Sequence, residues 1–195
     1  MRRVAIVTDT TACVPQEQVA KYDIEVVPVQ LIFEDKTYRD GIDISPTEFY
    51  ALIRQTKKMP TTSASSPNPY LEAYHKASQR ARSILCLTEP SRFSAMFESA
   101  RVAMEMAKEN LRNVVIEVLE CTTAAAGQGL VALAAAKEAS LGKTLNEVIE
   151  VARDTMSRVN LFASLDTLNY LAKSGRVPQA AALVNSLLSI KPIFT

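Results

Sequence analysis

The feature that most constrains this chain is its first fifteen residues. Val4-Ala5-Ile6-Val7 is a compact apolar run, and the polar, hydroxyl-rich Thr8-Asp9-Thr10-Thr11 follows it directly. A run that stays apolar without alternating predicts a strand covered on both faces, as in the interior of a parallel sheet. Such a strand delivers Asp9 and Thr10 to its carboxyl end, which is where ligands settle in open α/β sheets. Capping of the next helix, which starts at Val14-Pro15, and satisfaction of turn amides would use the same residues. Both roles stand open on the sequence alone.

The rest of the chain alternates strand and helix signals. Residues 24–33 are β-branched and apolar and predict one second strand, with Pro28 implying a bulge or an edge position. A charged loop with an Asp40-Gly41 turn follows, and Ser45-Pro46-Thr47-Glu48 is a capping box that opens a helix with Phe49, Leu52 and Ile53 on its apolar face. Residues 57–68 read as a loop rich in hydroxyls and proline. A helix from Asn68-Pro69 places Tyr70, Tyr74, Ala77 and Ala81 on one face, and residues 83–88 form a strand that empties into Thr88-Glu89. A helix over 91–110, a strand over 113–119, a polar exit over 120–129 and an alanine-rich helix closed by Gly142 come next. Thr144-Leu145-Asn146-Glu147 is a second capping box, for a helix reaching about Val159.

This order predicts an α/β fold: a parallel sheet covered by helices on both faces. Residues 161–165 then suggest a short strand, 166–173 a helix ended by Gly175, 179–189 another helix and 190–195 a strand. A final strand with nothing after it is an edge without cover. Residues 1–160 are therefore expected to be a ligand-binding α/β domain, and 161–195 the start of a second, apparently truncated α/β domain.

Charge and cysteine usage narrow the function. With 22 basic and 21 acidic residues and no basic stripe, an electrostatic footprint for nucleic acid is missing. Only four apolar residues precede Thr8-Asp9, too few for a signal peptide or a membrane span, so a cytoplasmic protein without membrane insertion is expected. Cys13, Cys86 and Cys121 are odd in number and lack metal-ligand spacing, so buried reduced thiols are expected and no metal or cofactor is.

The main chemical signal is a set of hydroxyl-rich exits: Thr10-Thr11, Thr62-Ser63, Ser91 with Ser94, and Thr122-Thr123. In a parallel sheet these can converge on one rim. Residues 62–66 and 91–94 fall at expected helix starts, where unpaired amides and the positive dipole end favour an anion. Arg92 is the one cation fixed in these runs, so the pocket suits a singly charged carboxylate better than a triphosphate. Capping explains each residue taken singly, but four runs of the same chemistry exceed what capping requires.

Catalytic readings have less to stand on. His75 is the single histidine, far in sequence from every hydroxyl run and without an evident carboxylate partner. Ser94 lacks a Gly-x-Ser-x-Gly elbow and a visible base, though a serine-dependent hydrolase or transferase acting on a small acyl ester through Ser94 is kept as the alternative. Gly127-Gln128-Gly129 has neither Rossmann nor P-loop spacing; its small residues suit close approach of a helix to a strand or a ligand. The alanine faces of residues 124–136 and 180–182 either pack on the sheet or leave room for a slender apolar ligand. Burial of each methylene of such a ligand contributes ~0.8 kcal/mol.

With those residues in view, the chain resembles the DegV family of bacterial fatty acid-binding proteins. The resemblance lies in Asp9-Thr10-Thr11-Ala12 with Pro15, in Tyr38-Arg39-Asp40-Gly41-Ile42-Asp43-Ile44 with Phe49-Tyr50, and in Pro60-Thr61-Thr62-Ser63 through Ser66-Pro67. It continues through Ser91, Ser94 and Glu98-Ser99-Ala100, then Leu168-Asn169-Tyr170-Leu171 with Gly175-Arg176, and Ile190-Lys191-Pro192-Ile193. Phe93-Ser94-Ala95-Met96 stands where the family has Leu-Ser-Gly-Thr. The resemblance implies a non-catalytic carrier, with a long-chain, palmitate-like fatty acid lying between two α/β domains and its carboxylate held by Thr62 and Ser94. It implies that a separate fatty acid kinase phosphorylates the presented carboxylate to an acyl phosphate, in phospholipid metabolism. Ser63 and Ser91 are second candidates for the head group, Asp9 and Thr10 are expected at the ligand site too, and Asp9 is expected to orient the loop. Arg176 is expected to brace the domain junction or meet ligand or kinase.

Overall fold

The computed structural model describes residues 2–55, 59–63, 66–176 and 193–194, and its first strand shows why the amino-terminal run can be apolar throughout. In β1 (Arg2–Asp9) the side chains alternate between two separate cores. Ala5 and Val7 point into one, Val4 and Ile6 into the other. β1 is interior to a four-stranded parallel sheet with β2 (Glu25–Val27), β6 (Ala81–Thr88) and β7 (Val115–Glu120), in the order β2-β1-β6-β7. Val7 pairs with Glu25 on one side and Cys86 on the other. β6 divides its side chains the same way, Ile84 and Cys86 against Leu85 and Leu87. Edge strand β7 leaves Val115, Glu117 and Glu120 exposed, as a strand covered less completely does.

Helices cover both faces, as the alternation of signals predicts. On one face α3 (Pro67–Ser78) buries Tyr70, Ala73, Tyr74 and Ala77, and α4 (Met96–Asn110) buries Met96, Ala100, Ala103 and Ala107. Both sets follow the three- and four-residue spacing of one helix face. On the other face lie α5 (Ala126–Ser140) and α6 (Leu145–Arg158), with Val19 and Tyr22 of α1 (Gln16–Tyr22) beside them. α5 buries Val131, Ala132, Ala135, Ala136 and Ala139, so its alanine face packs on the sheet rather than holding space open for a ligand. Both capping boxes form: Glu48 N–H donates to Ser45 Oγ at 3.3 Å at the start of α2 (Pro46–Gln55), and Thr144 and Glu147 cap α6 reciprocally.

Several segments depart from the sequence reading. The single strand expected over 24–33 is two strands in two sheets. β2 stops before Pro28, which has no N–H for a ladder, and β3 (Gln30–Phe33) turns away into an antiparallel sheet between β4 (Lys36–Arg39) and β5 (Thr61–Ser63). β2 is nonetheless the edge strand that Pro28 implied. β4 and β5 arise inside segments read as loops, because each is short, polar and partly exposed and owes its form to pairing with β3. After β4, Arg39 grips Asp43 through Nε and Nη2 at 2.9 and 2.8 Å, and these bonds hold the Asp43 carboxyl down at about 2.

The helix expected from residue 91 begins at Met96, and residues 90–93 form a turn in which Phe93 N–H reaches the Pro90 carbonyl. Beyond residue 160, β8 (Ala163–Ser164) pairs antiparallel with β9 (Ile193–Phe194), and α7 (Asn169–Ser174) ends at Gly175 with φ +72°. The helix expected over 179–189 lies outside the described residues. Of the three thiols expected to be buried, Cys86 and Cys121 are, but Cys13 is exposed, in a left-handed conformation just after a 3-10 turn. Burial pushes the Cys121 thiol up to about 12.

One polar knot joins the parallel sheet to α5. Asp9 is 1 % exposed, and Thr8 and Gln128 are fully buried. Gln128 Nε2 donates to Thr8 Oγ1 at 3.2 Å and lies 3.3 Å from both Asp9 carboxylate oxygens. The Thr11 N–H and hydroxyl donate to Asp9 Oδ1, and Tyr70 O–H reaches Oδ2 at 3.4 Å. Thr10 Oγ1 accepts the Val29 N–H at 3.1 Å, which ties the turn to the start of the second sheet. Gly129 permits this approach, since a Cβ there would lie 2.3 Å from the Ala12 carbonyl oxygen.

The loop feeding α5 carries strain. Ala125 has φ 50° and ψ −133°, a region glycine occupies freely and alanine does not. Ala125→Gly should therefore stabilise the fold by about 1 kcal/mol, read as a higher urea midpoint at unchanged slope. Gln128→Ala should cost about 2–3 kcal/mol, because it leaves Thr8 and Asp9 buried with fewer partners. A midpoint equal to that of the parent chain would show that the knot is dispensable.

Candidate ligand-binding site

Parallel strands β1, β6 and β7 all end at one rim, where Asp9, Thr88-Glu89 and Glu120 follow one another across the sheet. Alternation decides what each can do. Asp9 is enclosed; burial pushes its carboxyl above the usual range, and the Thr11, Gln128 and Tyr70 donors pull it back. Its place in the knot is that of a loop organiser, like that of Thr10.

Glu89 stands just past the end of β6 and is half-buried. Burial first, and the charge of Asp9 second, push its carboxyl up to about 7, against the Ser94 hydroxyl bond and the Arg176 charge. Ser94 Oγ also accepts the Met96 N–H at 3.3 Å, which fixes the serine at the entry to α4. From the second sheet, exposed Thr62 on β5 accepts a bond from Arg176 Nη2 at 3.2 Å. Arg176 follows the Gly175 turn, and its Nη1 donates to the Ser174 carbonyl at 2.7 Å, so the guanidinium is held from its own segment.

Thr62 and Arg176 are thus joined by a hydrogen bond, and the Arg176 charge and the Ser94 hydroxyl both act on Glu89, a string of polar groups drawn from β5, the turn after α7, the end of β6 and the turn before α4. The remaining hydroxyls of the hydroxyl-rich runs are engaged elsewhere. Ser63 O–H donates to Gln30 Oε1 at 3.2 Å across the β3–β5 pair. Ser91 donates its hydroxyl and N–H to Glu120 Oε1 at 2.7 and 2.6 Å, bonds that lower the Glu120 carboxyl. Thr123 packs against Gly127, where a Cβ would lie 2.3 Å from its Oγ1. Arg92, the cation expected near the head group, lies 4.8 Å over the Phe93 ring and reaches the Thr122 carbonyl.

The sequence reading named Arg176 but passed over Glu89. A lone glutamate at a strand end carries no pattern, and only the fold shows that it faces Ser94. The sequence showed no base for Ser94, and the fold sets this carboxyl beside it. His75 sits in the last turn of α3, which leads into the start of β6. The eight residues of β6 extend ~25 Å from there to the rim. Among the described residues no group of acids, cysteines and histidine has the arrangement of a metal site, and no helix is long and apolar enough to cross a membrane.

Sequence and structure comparisons agree on one family. The DegV family model, a family described as uncharacterised, matches residues 3–195. A DegV domain-containing protein of Caldanaerobacter subterraneus is 32% identical over 195 residues, covering 100% of this chain and 68% of that protein. One from Clostridium perfringens is 30% identical over 192 residues, covering 98% and 68%. Among solved structures, a DegV family protein from Thermus thermophilus, studied for fatty acid binding, superposes with a TM-score of 0.85 at 29% identity, over 99% of this chain and 67% of that one. DegV of Bacillus subtilis, a fatty acid binding protein, gives 0.86 at 27% identity with the same coverage. The chain spans about two thirds of the length of these relatives. With its blocks matched from Asp9-Thr10-Thr11 to the Gly175-Arg176 turn, the chain belongs to the DegV family.

Proposed function

We propose that this chain binds a long-chain fatty acid and presents its carboxylate to a separate fatty acid kinase for acyl phosphate formation. The observation that carries this is the string of Thr62, Arg176, Glu89 and Ser94, in a chain whose solved relatives bind fatty acids. Thr62 uses its oxygen to accept from Arg176, and the proton of that hydroxyl suits donation to a head group. Ser94 supplies a second hydroxyl, and Arg176 a positive charge beside a singly charged ligand. Ser63 and Ser91 would join only by leaving Gln30 and Glu120.

In this reading residues 1–160 are the ligand-binding domain and 161–195 open a second domain, which brings Arg176 to Thr62. Each methylene of the acyl chain adds ~0.8 kcal/mol when buried, so the tail supplies most of the affinity and the polar string sets its register. The chain is a cytoplasmic carrier with no catalytic step of its own. A second reading, a hydrolase or transferase acting on a small acyl ester, draws support from the Glu89–Ser94 bond, because a carboxylate poised near neutrality can accept a hydroxyl proton.

Native mass spectrometry of the purified chain should show co-purified acyl chains, and a panel of short esters should give no turnover. Ser94→Ala should weaken fatty acid binding by ~1–2 kcal/mol, the scale of a lost bond to a charged group. Loaded protein mixed with ATP and a fatty acid kinase subunit should yield acyl phosphate, trapped as the hydroxamate. Ester turnover that disappears in Ser94→Ala would instead establish the enzyme reading.

A further inference from the structure

The parallel sheet ends in an edge that no described strand covers. β7 lies last in the order β2-β1-β6-β7, so one side of its backbone has no ladder partner among the described residues. The pairing with β6 decides which groups face outward. Just past β7, Cys121 N–H donates inward, to the Thr88 carbonyl at 2.9 Å. Backbone direction alternates along a strand, so residues 117 and 119 also face β6. Ile116, Val118 and Glu120 therefore turn their N–H and carbonyl groups to the open side. The Val114 carbonyl points there too, while its N–H closes a turn onto the Leu111 carbonyl at 3.0 Å.

Beside this edge, between α4 and β7, lies a cavity of about 360 Å³ lined by Met104, Leu111, Val114 and Val115, with Lys108 and Arg112 in its walls. Val115 is 55 % exposed. Lys108 is paired with Glu105 at 2.6 Å, whereas the exposed guanidinium of Arg112, in the turn that leads into β7, has no partner among the described residues. Acids stand further along the same strand. Glu117 is exposed at its middle, and Glu120 at its end accepts from Ser91 through Oε1 alone. An open edge of this kind takes up an added strand, and the charges it carries decide which strand and in what register.

We propose that β7 is a self-association edge: a second copy of this chain adds its own β7 antiparallel, about a two-fold axis at Ile116, and the two parallel sheets become one. A two-fold axis normal to the sheet sets residues on the same face opposite one another. Centred on Glu117, it places that glutamate against its own counterpart, two like charges directly across a ladder. Centred on Val118, it sets Glu120 against Ile116 and offers a cation to neither glutamate. Centred on Ile116, it places Val114 opposite Val118 and Val115 opposite Glu117, and it brings the second copy's Glu120 to the turn that carries Arg112. The pair occurs at both ends, since the interface is one patch used twice. Ile116 exchanges both backbone bonds with its counterpart, and each Val118 N–H reaches a Val114 carbonyl. The end of the second copy's strand then runs past the cavity that Arg112 borders.

Sedimentation equilibrium of the whole chain at several loading concentrations should show monomer and dimer in exchange. Arg112→Glu, an exposed change in a turn, should raise the dimer dissociation constant roughly tenfold or more, because each end of the interface then sets two acids together. Added salt should weaken the parent dimer. In a Cys13→Ser background, which removes the exposed thiol, Ile116→Cys should form an interchain disulfide under mild oxidation. The axis brings its Cα within about 5.5 Å of its counterpart, a separation a disulfide spans. Glu117→Cys reads the competing register and should crosslink poorly. A monomer at every loading would overturn the proposal and leave the edge to a strand of another protein. A dimer indifferent to Arg112→Glu, or one crosslinked at 117 rather than 116, would overturn the register and the charge pairing that selects it. These outcomes do not depend on what the chain binds.

Discussion

Burial of the Asp9 carboxylate beneath the Gln128 amide is the constraint from which the rest of the rim follows. A carboxylate removed from water must find donors or forfeit several kcal/mol, and the end of β1 has too few of its own. Gln128 supplies them only if the first turn of α5 comes down onto the turn after β1. That approach needs glycine at position 129, whose missing Cβ leaves space for the Ala12 carbonyl, and at 127 beside Thr123. Ala125, the residue just before that helix start, stands in a backbone region that suits glycine.

The same turn decides where the second sheet begins. Thr10 takes the Val29 N–H, so the chain leaves the parallel sheet at Pro28 and starts β3 at Gln30. β5 then pairs with β3, Leu31 facing Thr62 and Gln30 facing Ser63 in register, and Thr62 is set where Arg176 can reach it. The proposed head-group donors therefore come from different parts of the fold. Thr62 depends on an antiparallel pairing, Ser94 on the turn after a parallel strand, and Arg176 on a glycine-ended helix more than a hundred residues later in the chain. A site assembled this way responds to any shift of one sheet against the other.

That construction explains which parts could be read from the amino-acid sequence. Patterns that report burial or a cap were legible: the unbroken Val4-Ala5-Ile6-Val7 run, the Tyr70–Tyr74–Ala77 face, the boxes at Ser45 and Thr144, and the Gly142 and Gly175 stops. Each rests on interactions between near neighbours or on one two-sided burial. β4 and β5 were not legible, because their charged and hydroxyl side chains look like loop and their form comes from β3. Gln128 sat between two glycines that read only as small. Glu89 and Gln128 draw their meaning from groups brought near by the whole fold, and a single residue has no period to betray it.

The two acids at this rim show how one environment yields a fixed group and an adjustable one. Asp9 is closed in by the Thr11 amide and hydroxyl, the Gln128 amide and the Tyr70 hydroxyl, so changing its charge would disturb α3, α5 and the turn together. Glu89 is half in solvent and leans on one hydroxyl and one exposed guanidinium. Burial raises the Glu89 carboxyl more than the charge of Asp9 does, so the rim holds one acid locked into the fold by its donors and one set by how far solvent reaches it.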